Sequence, residues 1–211
     1  MKVDRARIVE EALKLLNEVG VDALSTRLLA ERLQVRQPAL YWHFKNKRAL
    51  LDAMNKEILE RSHNNRLPRA GDDWRQYLLE NTRSFRAALL AYRDAGRVHA
   101  GTEAEPDELQ DVEMKTAFLV SQGFDAGEAM ILFIALGRYT LGCVIEEQSD
   151  YPKGPGRGAE LDIAARDYPL LAAGLAHYRE GGHTALFETG ISLILDGADM
   201  RLRGKTAPSG A

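Results

Sequence analysis

Ser25-Thr-Arg-Leu-Leu-Ala-Glu-Arg-Leu-Gln-Val-Arg-Gln-Pro-Ala-Leu-Tyr-Trp-His-Phe-Lys-Asn-Lys47 reads as two short helices joined by a tight turn. Ser25 and Thr26 offer side-chain oxygens to the first orphan N–H groups, and Leu28, Leu29 and Leu33 supply a buried side. The polar break Gln34-Val-Arg-Gln37 ends that helix. Pro38 suits the opening turn of the second, where its missing N–H costs nothing and its φ is already helical. Leu40 and Phe44 stand four apart and point inward, which turns Gln37, Ala39, Tyr41, Trp42 and His43 outward. A helix that exposes Tyr-Trp-His is costly unless something covers it. A DNA major groove is the natural cover, because it admits one α-helix and presents base edges to amide, methyl and imidazole groups.

Working outward, residues 4–19 carry Ile8, Val9, Ala12, Leu15, Leu16 and Val19 at helical spacing, with Gly20 as a stop. Together these helices form a three-helix head over residues 1–46. A longer helix starts near Asn46, buries Leu50, Leu51, Met54, Ile58 and Leu59, and breaks at Pro68-Arg-Ala-Gly71. This connecting segment, 47–66, is the only covalent link between the head and a body spanning 67–204. Helical patterns recur at 74–92, 94–99, 107–122, 126–148, 169–178 and 183–202, and nothing alternates with period two. The fold class is therefore all-α. Lys153-Gly-Pro-Gly-Arg-Gly158 reads as a loop and 205–211 as a disordered tail.

At 211 residues and 45% hydrophobic, the chain can bury a sizeable core without staples. A lone Cys143 excludes an internal disulfide, and its apolar neighbours point to a packed thiol. Neither a signal peptide nor a run long enough to span a bilayer is evident, so the chain is expected in the cytoplasm with no membrane partner. The net charge of −3 divides unevenly: residues 1–61 hold 12 Lys/Arg against 9 Asp/Glu, which leaves −6 for the remainder. A basic head on an acidic body suits a protein that offers one end to phosphates.

Two polar constellations stand out. His99-Ala-Gly-Thr102 with Glu146 combines imidazole, hydroxyl and carboxylate, donors that suit a Mg²⁺ ion keeping several waters, although such a His and Glu are more often a surface pair. Asn81 and Phe85 share a helix face and join His63; their plainer role is a satisfied core position. An all-helical enzyme acting on a polycyclic metabolite is the alternative reading. Against it, the chain has no His-Glu-x-x-His, no Gly-x-Ser-x-Gly and no phosphate-cradling glycine loop.

Leu40-Tyr-Trp-His-Phe-Lys-Asn-Lys-Arg-Ala-Leu-Leu51, Ser84-Phe-Arg-Ala-Ala-Leu-Leu90, Val98-His-Ala-Gly-Thr102 and Thr140-Leu-Gly-Cys-Val-Ile-Glu146 resemble, in order, the tetracycline-repressor branch of the tetracycline-repressor family. The resemblance runs from about residue 5 to the last helix and is weak near 150–180. It implies a repressor that binds a palindromic operator as a homodimer and is released by a small-molecule inducer, a tetracycline-like Mg²⁺ chelate. By that resemblance His99 binds the metal directly, while Thr102 and a Glu146 from the second subunit reach it through water. His63, Asn81 and Phe85 hold the ring edge, Val112 and Phe133 supply apolar walls, and Lys115 contacts the ligand. In the head, Arg27, Arg36, Gln37 and His43 read bases and Tyr41 and Lys47 hold phosphates, with Thr26, Pro38, Ala39 and Trp42 completing the surface. The apolar runs around Met130–Leu136 and 185–195 are either central core helices or, on the resemblance, a dimeric four-helix bundle in which Gly190 and Gly197 allow close approach.

The chain also departs from the family. Glu103-Ala104 replaces an Arg-Pro pair, Lys115 replaces a Gln that contacts the drug, and Arg138 replaces a His. A Glu103–Lys115 ion pair would neutralise two of these changes. In the head, Gln34 replaces a turn Gly, Arg36 an acidic residue and Ala39 a Thr.

Overall fold

The computed structural model describes residues 3–102, 106–149 and 163–206. Glu103-Ala104, the 153–158 loop and tail residues 207–211 lie outside them. The described residues form helices and contain no strand. In chain order the helices are α1 (Arg5–Ala23), α2 (Thr26–Leu33), α3 (Gln37–Tyr41), α4 (Lys47–Ser62) and α5 (Trp74–Leu90), followed by α6 (Ala95–His99), α7 (Leu109–Ser121), α8 (Ala126–Ser149) and α9 (Pro169–Thr206). Short 3-10 turns precede α7 (Pro106–Glu108) and α9 (Ala165–Asp167).

Most helix starts in the head follow local chemistry. Asp4, Ser25 and Asn46 cap α1, α2 and α4, each accepting from a backbone N–H three residues on. Gly20 breaks α1 as the sequence suggests, with φ of 77° and ψ of 171°, although hydrogen bonding resumes through Ala23. Leu40 and Phe44 are buried with Ile8, Leu16, Leu29 and Leu33, while Leu28 and Val19 are only half-buried.

Gln34 ends α2 in the left-handed region at φ 55°, where its amide bonds Ala30 and Glu31 carbonyls. A side chain there meets its own carbonyl, and glycine does not. Gln34→Gly should therefore stabilise the protein by about 1 kcal/mol, read as a raised urea midpoint at unchanged slope.

By contacts the chain forms two units, one ending at Met130 and the other starting at Ile131, inside α8. Within the first, polar bonds tie α1 to the α5–α6 link. Asp94 Oδ2 accepts from Val21 N at 2.9 Å, and Arg93 donates from its backbone N to Asn17 Oδ1 at 2.8 Å and from Nη1 to Glu18 O at 2.9 Å. Arg97 grips Asp22 with two bonds of 2.8 and 2.7 Å. The head and the first half of the body thus form one unit, with Met54, Ile58, Tyr77, Leu78, Leu89 and Leu119 at its apolar centre.

Residues Ile131–Ala211 form the second unit. Tyr139 of α8 stacks on Phe187 of α9 at 6.2 Å and donates to Leu186 O at 2.7 Å. A Cβ at Gly190 would overlap the Tyr139 ring, so that glycine serves contact within the chain; nothing lies near Gly197. The two patterns read at 169–178 and 183–202 are joined as α9, whose backbone departs from helix at Gly182 (φ 62°). Lys205 and Thr206 continue this helix instead of belonging to a disordered tail.

One expectation needs correction. At 24 residues, α8 is long and apolar enough to cross a membrane by length and composition. A core helix and a membrane span share this composition, since both cover nearly every face with apolar groups. Leu132, Leu136, Thr140 and Val144 of α8 are buried, whereas Ile131 and Ile134 are exposed.

Candidate ligand cavity and DNA-reading head

In the head, Ser25 Oγ alone caps α2, accepting from Leu28 N at 3.2 Å. Thr26 does something else: its hydroxyl accepts from Gln37 Nε2 at 2.8 Å and thereby fixes the first side chain of α3. Pro38 sits in the opening turn of α3, and Arg36 is its N-cap residue without a side-chain capping bond. Only five residues long, α3 is held by Leu40, Phe44 and a strut from α1. There Arg5 donates from Nη1 to His43 O at 3.1 Å while its guanidinium lies 4.5 Å from the Phe44 ring centre. Trp42 is 89% exposed and Tyr41 49%, so both stand on the surface. Ala39 and His43 are half-buried beside them. Lys47 Nζ donates to Val21 O at 3.3 Å, and Arg27 pairs at 3.0 Å with Glu31 on an open surface where water screens the bond. The base-reading and phosphate-holding residues inferred from the sequence therefore flank one short exposed helix.

The second site lies in the same unit. His63, Phe85, His99, Thr102, Val112 and Lys115 line one cavity of about 260 Å³. Its centre is a row of three rings: Phe85 stands 5.8 Å from His63 and 5.1 Å from His99, in tilted and edge-on geometry. Asn55, Leu59, Arg66, Glu108 and Asp111 complete the lining, and sequence reasoning named none of them for it. Asn55 had a readable signal, being a polar residue one position after Met54 on the buried side of α4.

Both imidazoles are neutral at pH 7. Burial, reinforced by the Lys115 and Arg66 charges, pushes His63 down to about 3. Burial and the Arg48 guanidinium lower His99, with Glu108 opposing them. His63 Nδ1 lies 3.0 Å from Ser84 Oγ. Asn81, named from the resemblance as a ligand contact, stands beside His63: its Nδ2 donates to Asn65 O at 2.7 Å and Arg66 O at 3.3 Å, and approaches His63 Nε2 at 3.5 Å. These bonds fix the turn after α4 behind the cavity wall.

His99 Nδ1 faces Asn55 Oδ1 at 2.9 Å. Donation of the Nδ1 proton to that oxygen leaves the Nε2 lone pair uncommitted, the tautomer a metal needs. Thr102 donates to His99 O at 2.8 Å, which leaves its hydroxyl lone pairs available, and Gly101 at φ 77° makes the intervening turn possible. No group of three or more His, Cys, Asp or Glu side chains that could hold a metal exists among the described residues. One imidazole and one hydroxyl fit an ion that arrives bound to a ligand's oxygens and keeps its waters, and do not fit a resident ion.

Phe133 and Glu146 belong to the second unit. There Glu146 lines another cavity of about 400 Å³ with Arg138, Cys143, Tyr178 and His183. Cys143 is half-buried at that wall rather than sealed in a core.

Helix α4 connects the two sites. It starts directly after the reading segment, and its far half carries Asn55 and Leu59 into the cavity, with His63 as its C-cap residue. Arg48, on its first turn, pairs with Asp52 at 2.7 Å and donates to Ala100 O at 3.2 Å, beside the His99–Thr102 turn.

An exposed reading helix and a ring-lined cavity that share one helix define a ligand-sensing helix-turn-helix regulator. The comparisons agree and carry the assignment further. Residues 8–54 match the bacterial regulatory proteins of the tetR family, and residues 67–202 match the tetracyclin repressor-like C-terminal domain. The chain belongs to this family and is a DNA-binding regulator of transcription. It is 46% identical over 200 residues to the Escherichia coli tetracycline repressor protein class A from transposon 1721, covering 95% of this chain and 92% of the relative. It is 45% identical over 204 residues to the Escherichia coli class C repressor, covering 95% and 93%. A solved class A repressor in complex with 5a,6-anhydrotetracycline and magnesium superposes with a TM-score of 0.72 at 41% identity, covering 92% of this chain and 97% of that one.

Proposed function

We propose that the protein represses transcription from the cytoplasm by holding a palindromic operator as a homodimer, and that a tetracycline-like molecule chelated to Mg²⁺ releases it. The observation that carries this reading is the row His63–Phe85–His99, with Asn55 holding His99 in the tautomer that presents Nε2. A bound metal would supply charge that ties the inducer's oxygens to the protein. His99 Nε2 would hold it, with Thr102 and the second subunit's copy of Glu146 as water-mediated partners, and Phe85, Val112 and Phe133 would cover the rings. The 5a,6-anhydrotetracycline and magnesium in the solved class A relative support that assignment, and the relatives' names give the enzyme alternative no support.

Fluorescence anisotropy of a labelled palindromic duplex, with tetracycline added in Mg²⁺ or in EDTA, tests the reading. Release in Mg²⁺ and retention in EDTA are expected. Release that ignores EDTA removes His99 from the metal role, and no release at any concentration removes tetracyclines as inducers.

In the head, we assign base reading to Arg27, Arg36, Gln37 and His43, phosphate contacts to Tyr41 and Lys47, and shaping of the surface to Thr26, Pro38, Ala39 and Trp42. Gln37→Ala should cost roughly 1–3 kcal/mol at a single base pair and relax preference only there. Lys47→Ala should weaken all sequences alike and lower the salt slope by about one. A Gln37→Ala protein with unchanged base preference at every operator position would refute the assignment.

A further inference from the structure

We propose that Lys115 sets the specificity of the cavity by selecting an inducer with an anionic oxygen, such as a carboxylate or an ionised phenol or enol, at the His63 end of the ring row. The inference rests on the reading of this cavity as the inducer site. Two cations, Arg66 and Lys115, face the cavity beside His63, and they are not equivalent. Arg66 Nη2 lies 3.4 Å from Asp111 Oδ2 and 3.8 Å from Glu108 Oε1, so both cavity carboxylates are engaged with it. Among the described residues, none holds a carboxylate within ion-pair distance of Lys115.

The other neighbours offer no compensation. Leu59, Phe85 and Val112 are apolar, and His63 is neutral. Lys115 is half-buried, and burial followed by Arg66 repulsion lowers its pKa, with Asp111 and Glu108 opposing. An ammonium offers three donors and no acceptor, so it rejects a ligand group that must donate and gains most from one bearing negative charge. A half-buried cation with no ion-pair partner among the described residues is costly, and an anionic ligand removes that cost on binding. The cation of a Mg²⁺ chelate, in contrast, belongs at the other end, where His99 and Thr102 supply the donors and Lys115 does not act on the imidazole.

The probes are anthraquinone-2-carboxylic acid and anthraquinone-2-carboxamide, rigid tricyclic molecules of nearly the same shape that differ in charge. Isothermal titration of the full-length protein should show the acid binding about tenfold or more tighter than the amide, the scale of one charge-assisted hydrogen bond. Lys115→Gln should bring the two within about twofold, and Lys115→Arg should restore the preference for the acid. Equal affinities in the wild type, a preference that survives Lys115→Gln, or no binding of either compound overturns the proposal. The parallel variant Phe85→Ala separates the two levels of failure. If it weakens both compounds while Lys115→Gln leaves their ratio unchanged, the cavity is the ligand site and Lys115 is not its selector. If neither variant changes binding, the compounds sit elsewhere and the assignment of the cavity falls with the proposal.

Discussion

His99→Ala should hold its operator at wild-type strength and no longer release it when tetracycline and Mg²⁺ are added. The reading surface lies on α3 and its flanks, and the bonds that hold it, from Arg5 to His43, Leu28 to Ser25, Gln37 to Thr26 and Lys47 to Val21, do not involve His99. At the cavity the substitution removes the only imidazole of the His99–Thr102 turn and with it the Nε2 donor. Even loss of an outer partner of a metal-bound His costs about 10–100-fold, so loss of the ligand itself should cost at least that much. Asn55→Ala supplies the graded comparison. It keeps the imidazole but frees its tautomer, and should raise the inducer concentration for half-release by about 10–100-fold. His99→Ala also strands the buried Asn55 amide, which should lower stability by about 1–3 kcal/mol without unfolding the protein. Anisotropy titrations give both operator affinity and half-release. A His99→Ala protein released at the wild-type inducer concentration in Mg²⁺ would end the metal assignment.

Because binding free energies are reciprocal, operator should weaken inducer binding by the factor that inducer weakens operator binding. The physical path is short. Asn55 and Leu59 line the cavity from α4 and His63 from its C-cap, and the same helix leaves the reading segment at Asn46.

What the sequence made legible was periodicity and local chemistry. The cap at Ser25, the helix start near Asn46, the inward pair Leu40 and Phe44, and the break at Gly20 each follow from a few neighbouring residues, and all appear in the fold. The strained turn at Gln34 was legible only as a departure from the family's Gly, and its φ of 55° gives that departure its physical meaning. Partnerships across long separations were not legible. Asn55 with His99, 44 positions apart, and Arg93 with α1, 75 and 76 positions apart, leave no local pattern. The same holds for the bonds from Asn81 Nδ2 to two carbonyls of the loop after α4. Burial also recast a charge question, since Lys115 was weighed against Glu103, and the described carboxylates of the cavity both turn out to be engaged with Arg66.

Leu193→Glu should convert the protein to monomers and with that abolish tight operator binding, although the residue lies on α9, outside the reading head. Leu193 is 68% exposed, and Leu186 and Met200, seven positions to either side, are 43% and 74% exposed. A seven-residue apolar repeat on an open helix face is the spacing that a facing helix covers. On an isolated chain, a glutamate at so exposed a position changes stability by no more than about 0.5 kcal/mol. In a twofold interface the same change buries an unpaired charge from each copy, at about 3–5 kcal/mol for every such charge, and symmetry brings the two substituted positions in together. Each freed head then reads a single half-site and loses the about 10²–10⁴-fold gain of engaging both at once. Leu193→Ala, which removes area without adding charge, should weaken the dimer only by the transfer and cavity terms, about 2–5 kcal/mol if the site is fully covered. Sedimentation equilibrium reads the oligomer, circular dichroism checks that helix content is kept, and anisotropy reads the operator. A Leu193→Glu protein that remains dimeric and operator-bound would show that the 186–193–200 stripe is covered by something other than a second copy of this chain.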